Sequence, residues 1–301
     1  MATSSKPAAD NTLRPTATGR DREFHFTSAD FDVVRKLIYD HAGISLAPIK
    51  QDMVYSRLAR RLRALQLETF QDYLNYLQSG QDEGEWETFV NSLTTNLTSF
   101  FREAHHFDIL EKHLQAQKHR PLRIWCSAAS TGEEPYSLAI TACEAFDSYT
   151  PPVEIVASDI DTNVLATAQK GVYPIERVSK MDPARLRRFF LKGTGAQAGY
   201  VRIRPELQKL LSFTRINLLD AKLGVQGPFD ALFCRNVMIY FDKPTQYGIL
   251  KKFVPLLRME GLLFAGHSES FLHAADLFHS LGRTVYERSD RPERSEHLYH
   301  R

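Results

Sequence analysis

Two adjacent glutamates stand at the predicted entrance of a helix, after a strand and a loop of small residues. The strand pattern LRIWC begins at Leu122, the loop SAASTG follows it, and Glu133 and Glu134 come just before Pro135. A helix N-terminus attracts anions, because its unpaired N–H groups and its dipole favour negative charge. Carboxylates at that position would repel a phosphate and suit a cationic group. The loop has one glycine, whereas the dinucleotide-binding fingerprint has three.

A second strand pattern, VEIVASD, ends at Asp159, 26 residues after Glu133. An acid at the end of this strand can accept hydrogen bonds from both ribose hydroxyls of a nucleoside. Strand-end aspartates often cap the next helix instead, but Asp161 is better placed to cap the helix predicted from Thr162. The whole unit predicts a site for a nucleoside with a cationic tail, which S-adenosylmethionine fits better than NAD. Stabilisation of the helix dipole is the alternative explanation of the two glutamates.

A third strand pattern, DALFC, is followed by Arg235 and Asn236, and Tyr240 comes shortly after them. Ligands of open α/β sheets bind beyond the carboxyl ends of the strands, so these side chains are candidates for the same site. Asn236 offers a donor and an acceptor, and Tyr240 can form a hydrogen bond at a reacting centre. The structural alternative is an asparagine that satisfies loop backbone and a tyrosine that packs in the core.

The segment TTNLTSFFRE joins the two halves of the chain and contains Asn96, Thr98 and Arg102. If this segment is helical, Thr98 and Arg102 lie on one face, because they are four residues apart. An arginine can hold a carboxylate through two hydrogen bonds. An interdomain salt bridge is the alternative role for Arg102.

The basic segment SRLARRLRALQL places Arg57, Arg60 and Arg61 on one helical face and leucines on another. Few acids on the same helix neutralise the basic face. We therefore expect an acidic partner surface, although a solvated charged face is the ordinary explanation of such a run.

The chain divides into a helical part and an α/β part. Residues 24–97 have helical periodicity without a strand pattern, which predicts a small all-α domain with helices at about 28–43, 50–67, 70–78 and 85–97. Between 98 and 290 helices alternate with strands, which predicts a parallel sheet with helices on both faces. A hairpin signal at about 186–206 indicates an inserted antiparallel β-subdomain. Residues 1–23 and 291–301 are predicted to be a disordered and a flexible tail.

Composition narrows the choice of partners and compartment. The formal net charge of +2 gives no bulk electrostatic support to nucleic-acid binding. No apolar run approaches the roughly 20 residues of a membrane span, and the first residues lack the apolar core of a signal peptide. Cys126, Cys143 and Cys234 have no metal-ligand spacing. We therefore expect buried free thiols, no metal and a cytoplasmic location.

Six segments together resemble the bacterial chemotaxis protein methyltransferases of the CheR type: TTNLTSFFREAHHF, RIWCSAASTGEEPYSLAI, ASDID, INLLD, GPFDALFCRNVMIYFDK and GLLFAGHSES. The resemblance covers about residues 24–288. It implies a Rossmann-like class I S-adenosylmethionine-dependent methyltransferase domain with an inserted β-subdomain, preceded by the all-α domain. It also implies methyl transfer to chemoreceptor glutamates, which adapts chemotaxis signalling and leaves S-adenosylhomocysteine as the product.

The resemblance implies roles for individual residues. Cofactor contacts are implied for Asn96, Thr98, Arg102, Glu133, Asp159, Asn217, Leu218, Arg235 and Asn236, with Asn217 and Leu218 beside the adenine. Arg102 and Tyr240 would stand at the transfer site. Arg57, Arg60 and Arg61 would dock on the acidic methylation helices in a receptor's cytoplasmic domain. In some family members the β-subdomain also adds a receptor's C-terminal pentapeptide to its edge.

Two other functions fit the same residues. One is a class I methyltransferase that acts on RNA or a small molecule, and the other is a non-catalytic module that senses S-adenosylmethionine or binds receptors. The near-neutral charge argues against RNA, and the presence of Arg102, Asn236 and Tyr240 favours catalysis. An NAD dehydrogenase is poorly supported, because the glycine pattern is missing.

Overall fold

The computed structural model describes residues 22–94 and 96–290, so the predicted tails, apart from residues 22 and 23, lie outside the described residues. The first part contains four helices, α1 (Ser28–Ala42), α2 (Gln51–Leu65), α3 (Phe70–Ser79) and α4 (Glu83–Leu93). Thr27 caps α1 through the N–H of Asp30, and Gly43 ends it in the left-handed conformation (φ 65°). The apolar faces of the helices meet in one core, which includes the fully buried side chains of Val34, Ile38, Leu58 and Leu62.

Helix α4 ends at Leu93, before the end predicted at 97. The chain becomes extended at Thr94 (ψ 164°). The Arg57 guanidinium of α2 donates hydrogen bonds to the carbonyl oxygens of Ser92 and Thr94. Carbonyls at a helix C-terminus have no later N–H to pair with, so Arg57 caps this end. The prediction of helix up to residue 97 is therefore wrong.

The second part alternates helices and strands, as predicted. In chain order its elements are α5 (His105–Ala116), β1 (Leu122–Cys126), α6 (Glu133–Ala145), β2 (Val153–Asp159), α7 (Thr162–Lys170), β3 (Val172–Pro174), α8 (Pro183–Phe189), β4 (Phe190–Lys192), β5 (Tyr200–Ile203), α9 (Pro205–Gln208), β6 (Leu211–Arg215), β7 (Phe229–Cys234), α10 (Lys243–Phe253), β8 (Leu257–Ala265), β9 (Phe278–Gly282) and β10 (Val285–Arg288).

Seven of these strands form one sheet in the order β6-β2-β1-β7-β8-β10-β9. The first five are parallel to one another, and the β9–β10 hairpin adds an antiparallel edge. The prediction of a parallel sheet therefore holds for five strands, and β9 was missed. Strand β9 reads FHSLG and is mostly exposed, so it has no alternation of apolar and polar residues to detect.

Helices cover both faces of the sheet, as predicted. Along β1, Ile124 and Cys126 face the core that α5 and α6 share. Trp125 points to the other face, where its ring lies 5.3 Å from that of Phe253 in α10. The three cysteines are buried free thiols, which confirms that prediction.

The inserted subdomain is a three-stranded antiparallel sheet in the order β3-β5-β4. The predicted range of 186–206 contains β4 and β5 but misses β3, which begins at Val172. Strand β3 has three residues and ends at Pro174, which has no N–H to donate, so it leaves almost no strand signal. In β5, Val201 and Ile203 are buried while Tyr200 and Arg202 are exposed, which confirms the predicted alternation.

The helical domain packs against the carboxyl edge of the large sheet. Glu87 of α4 accepts hydrogen bonds from the N–H and the hydroxyl of Thr162, the first residue of α7, at 2.8 and 2.6 Å. The Ser45 N–H donates to the Tyr240 carbonyl oxygen at 2.7 Å. These contacts fix the helical domain over the ends of the strands.

One arginine of the basic face of α2 pairs with a carboxylate of a different helix. Arg61 donates through Nε and Nη2 to the Glu85 carboxylate of α4 at 3.0 and 2.6 Å, and Tyr73 donates to it at 2.8 Å. Glu85 is 3% exposed. Arg57 and Arg61 are thus engaged inside the helical domain, whereas Arg60 is exposed.

We predict that Arg61→Ala lowers the free energy of unfolding by about 2–4 kcal/mol, because it leaves the buried Glu85 carboxylate without its cation. Arg60→Ala, on the same helix and exposed, is the matched control and is expected to cost less than about 0.5 kcal/mol. Urea unfolding of the full chain, followed by circular dichroism, measures both. Equal losses for the two variants would contradict this assignment.

Candidate active site

A pocket opens at the carboxyl ends of β1, β2, β6 and β7. The strand order reverses here, because β1 is flanked by β2 on one side and by the later strand β7 on the other. Ligands of open α/β sheets bind at such a switch point. The pocket is lined by Tyr240 and by all of the predicted cofactor residues except Glu133, namely Asn96, Thr98, Arg102, Asp159, Asn217, Leu218, Arg235 and Asn236.

Asp159 is held in place by backbone donors. Its carboxylate accepts hydrogen bonds from the N–H groups of Ser130 (2.8 Å) and Asp161 (3.1 Å). Burial raises the pKa of Asp159, and these backbone hydrogen bonds oppose the shift. Asp161 caps α7 through the N–H groups of Asn163 and Val164, as predicted, so Asp159 is not needed as the cap of this helix.

The neighbouring wall is apolar and comes from both domains. Ile216 and Leu218 follow β6 and are 5% exposed, and Asn217 between them accepts a hydrogen bond from the Leu219 N–H at 3.0 Å. Ala42 and Ile44, at the end of α1, line the same pocket. Their part in the site was not predicted, because no local pattern tells where the end of a helix docks. The wall suits a flat apolar base.

The Arg235 guanidinium is buried in the pocket wall, and two carboxylates balance its charge. Its Nη1 donates to Glu134 Oε2 at 2.7 Å, and its Nη2 lies 3.3 Å from Glu103 Oε2. The same Nη2 donates to the carbonyl oxygen of Arg102. A buried charge is tolerated only when it is paired and hydrogen-bonded, so these three partners fix the guanidinium in one orientation.

The electrostatic effect of Arg235 extends to its neighbours. Burial tends to raise the pKa of Glu103, but a hydrogen bond from His267 and the Arg235 charge outweigh it and lower this pKa to about 2. Burial and the Arg235 charge lower the pKa of His106 to about 4. At neutral pH the cluster therefore combines a cationic Arg235, an anionic Glu103 and a neutral His106.

The two glutamates of the α6 entrance have different surroundings. Glu134 lines the pocket, where it pairs with Arg235 and accepts a hydrogen bond from the Cys126 thiol. Burial raises the pKa of Glu134, and the Arg235 charge opposes the shift. Glu133 is fully buried outside the pocket lining, where it accepts from the Thr131 hydroxyl (2.6 Å) and pairs with Arg177 (2.8 Å). The residue pattern indicated both glutamates, and the resemblance implied Glu133, which stays a prediction; of the two, Glu134 lines the pocket.

The segment that carries Asn96, Thr98 and Arg102 is not helical. Phe101 and Glu103 take the left-handed conformation (φ 52° and 58°), which interrupts any helix. The condition under which Thr98 and Arg102 would share a helical face is therefore not met, and both residues line the pocket from a non-helical segment. Arg102 Nη1 donates to the Leu97 carbonyl oxygen at 2.9 Å. Within the described residues, Arg102 forms no salt bridge between the domains.

The polar groups of the pocket fit S-adenosylmethionine, whose amino-acid end carries an ammonium and a carboxylate. Glu134 can accept from the ammonium. Arg235 Nε is buried without a hydrogen-bond partner among the described residues, so it can donate to a ligand. Asp159 suits ribose hydroxyls, and the Ile216–Leu218 wall suits adenine. Within the described residues, no group of His, Cys, Asp and Glu side chains has the arrangement of a metal site.

Comparison with known proteins matches both halves of the chain to one family. Residues 29–94 match the all-alpha domain of the CheR methyltransferases, and residues 96–287 match their S-adenosylmethionine-binding domain. The chain belongs to the CheR methyltransferase family.

Three relatives are similar over nearly their whole length. Chemotaxis protein methyltransferase 2 of Pseudomonas aeruginosa is 56% identical over 277 residues, which are 91% of this chain and 98% of the relative. The chemotaxis protein methyltransferase of Salmonella typhimurium is 50% identical and covers 94% of this chain and 97% of its own. That of Escherichia coli is 50% identical, with 94% and 98% covered.

These matches confirm the predicted family, fold class and cofactor. The protein is an S-adenosylmethionine-dependent methyltransferase with a Rossmann-like catalytic domain, an inserted β-sheet and a preceding all-α domain. In the part of the chain that the structure describes, no helix combines the length and the apolar character needed to cross a membrane.

The different surroundings of the two glutamates lead to a prediction. Glu134→Gln removes the pocket carboxylate that can accept from the ammonium of the ligand, so we expect the dissociation constant of S-adenosylhomocysteine to rise by about 10- to 100-fold, as for the loss of a charged hydrogen bond. Glu133→Gln is the matched control and should lower stability while it changes this constant by less than about threefold. Calorimetric titration measures both variants. If Glu133→Gln lost more affinity for S-adenosylhomocysteine than Glu134→Gln, then Glu133 would be the residue that contacts the cofactor.

Proposed function

We propose that this enzyme methylates glutamate side chains of chemoreceptors and so adapts chemotaxis signalling. The observation that carries the proposal is that Arg102 and Tyr240 line the same pocket as the cofactor residues. The Arg102 guanidinium and the Tyr240 hydroxyl can both donate hydrogen bonds, so they suit a methyl acceptor that is an anion. The names of the relatives, which are chemotaxis protein methyltransferases, point to the same process.

The acceptor needs no general base. A glutamate carboxyl has an ordinary pKa of about 4.3, so it is already ionised at pH 7. When S-adenosylmethionine is bound, it supplies a methyl group on a sulfonium, and a carboxylate oxygen displaces S-adenosylhomocysteine from it. Arg102 then orients the acceptor carboxylate or the carboxylate of the cofactor, and Tyr240 lines the reacting centre. The enzyme contributes positioning and desolvation, so single variants should cause graded losses of rate.

Tyr240 is fixed relative to both domains. The Ser45 N–H of the helical domain donates to its carbonyl oxygen, and the Lys50 ammonium lies 5.9 Å from the centre of its ring. The helical domain thus supplies positive charge at the same edge of the site. An acidic receptor surface complements this charge together with exposed Arg60. Arg57 and Arg61 were predicted to share this docking role, but both guanidinium groups bind partners inside the helical domain. We therefore propose that only the exposed parts of these two side chains contact the receptor.

The β-subdomain is proposed as a second receptor contact. Strand β4 is at one edge of its sheet, with Leu191 and Lys192 exposed, and β5 next to it exposes Arg202. An unpaired edge can accept an extended peptide as an additional strand, and the two cations favour a chain end with a carboxylate. We infer that a receptor's C-terminal pentapeptide binds here and that the enzyme acts in the cytoplasm, where receptor signalling domains are found.

The test is methylation of a receptor cytoplasmic fragment with radiolabelled S-adenosylmethionine. We expect label on the receptor that alkali releases as methanol, because a carboxyl methyl ester is hydrolysed by base whereas an N-methyl group is not. Receptor fragments whose accepting glutamates are replaced by alanine should take up none. Alkali-stable label, or label in added RNA, would contradict the proposal. Cofactor binding without transfer in a single turnover would favour the non-catalytic module.

The same assay tests the role of Arg102. Arg102→Ala is expected to lower kcat/KM by about 10- to 100-fold, as for the loss of a charged hydrogen bond. Lys112→Ala, which removes an exposed cation of α5, is the control and should retain full activity. If Arg102→Ala left both kcat and cofactor affinity unchanged, Arg102 would have a structural role.

A further inference from the structure

A buried carboxylate lies directly behind the segment that carries Asn236 and Tyr240. Glu269 follows β8, is 4% exposed and is not part of the pocket lining. Its Oε2 accepts hydrogen bonds from the N–H groups of Asn236 (2.9 Å) and Gly266 (2.5 Å), and its Oε1 accepts from the N–H of Met238 (2.8 Å). One carboxylate therefore pairs three backbone donors of two neighbouring loops.

This arrangement holds Asn236 in an unusual conformation. Asn236 has φ 59°, in the left-handed region that non-glycine residues rarely adopt. Its side chain packs against bare Gly266, since a Cβ added there would lie 2.3 Å from Asn236 Nδ2. Glu269 thus fixes the backbone of Asn236, and Gly266 leaves room for its side chain. The two contacts restrict Asn236 to this conformation, which an asparagine adopts more readily than most residues but still at a cost.

The same carboxylate sets the start of the turn that leads to Tyr240. Met238 begins the short 3₁₀ turn Met238–Tyr240, and its N–H is one of the donors at the start of a helical turn that lack a partner within the turn. Glu269 supplies that partner. If it were removed, three N–H groups at the back of the pocket would lose their acceptor, and the segment would relax to find others.

We propose that Glu269 is a positioning residue for methyl transfer, which acts by holding Asn236 and Tyr240 at the pocket. Glu269 touches neither the cofactor nor the acceptor; it sets the backbone from which the two side chains reach the site. The role of Tyr240 rests on the proposed function. The role of Asn236 rests on cofactor binding alone, so the two parts can be tested separately.

The first test is Glu269→Gln, assayed for kcat with a receptor fragment and for affinity with S-adenosylhomocysteine. The amide replaces one acceptor oxygen by a donor that faces backbone N–H groups. We expect kcat to fall by about 10- to 100-fold, the order of loss that small displacements of reacting groups cause. Asp230→Asn is the control, because Asp230 is a buried carboxylate on β7 that lies outside the pocket lining. It should lower the melting temperature and leave kcat within about threefold.

A double-mutant cycle separates positioning from general destabilisation. If Glu269 acts through Asn236, then Asn236→Ala should reduce kcat and affinity strongly in the wild type and by less than about threefold in the Glu269→Gln background. Unchanged kcat in Glu269→Gln, or full additivity with Asn236→Ala, would overturn the proposal.

The role of Glu269 can still be tested if Glu269→Gln does not fold or if the wild-type enzyme methylates no receptor. If Glu269→Gln fails to fold, Glu269→Asp replaces it, because the shorter side chain keeps the carboxylate but withdraws it from the three N–H groups; an unchanged kcat in Glu269→Asp would overturn the proposal. If wild-type enzyme methylates no receptor, the proposed function fails. The S-adenosylhomocysteine affinities of the same four proteins in the Asn236 cycle then decide the role of Glu269.

Discussion

The buried guanidinium of Arg235 is the constraint on which the site depends. A cation without solvent must be surrounded by acceptors, and here they come from two separate parts of the chain: Glu134 at the start of α6, and the Arg102 carbonyl and the Glu103 carboxylate in the linker before α5. Pairing this one side chain therefore brings the linker, the start of α6 and the end of β7 together. It also leaves Glu134 on the pocket wall, where an ammonium can reach it.

The two domains share the site as a consequence. The linker that pairs with Arg235 continues from α4, and the end of α1 contributes Ala42 and Ile44 to the pocket. Glu87 and Ser45 bind groups on the methyltransferase side, so the helical domain cannot shift without moving the backbone at Tyr240. The helical domain thus forms part of the cofactor pocket, besides any part that it has in receptor docking.

Sequence patterns predicted the elements that carry their own signal. The β1–α6–β2 unit, the cap at Asp161 and the alternation in β5 are local features, and all three are present. What the sequence missed depends on distant partners. The early end of α4 follows from Arg57, and the different surroundings of Glu134 and Glu133 follow from Arg235 and Arg177, which are far away in the chain. The role of Glu269 could not be predicted from the segment GLLFAGHSES that contains it, because Glu269 binds backbone N–H groups whose position only the fold shows.

The central claim is that this pocket holds a nucleoside with a charged amino-acid tail and excludes a dinucleotide. Calorimetric titration of the full chain with S-adenosylhomocysteine and, separately, with NAD tests it most directly. The account predicts a saturable heat with micromolar or tighter affinity for the first ligand and none for the second, because the loop before α6 lacks the glycines that admit a pyrophosphate. Saturable binding of NAD without binding of S-adenosylhomocysteine would contradict it.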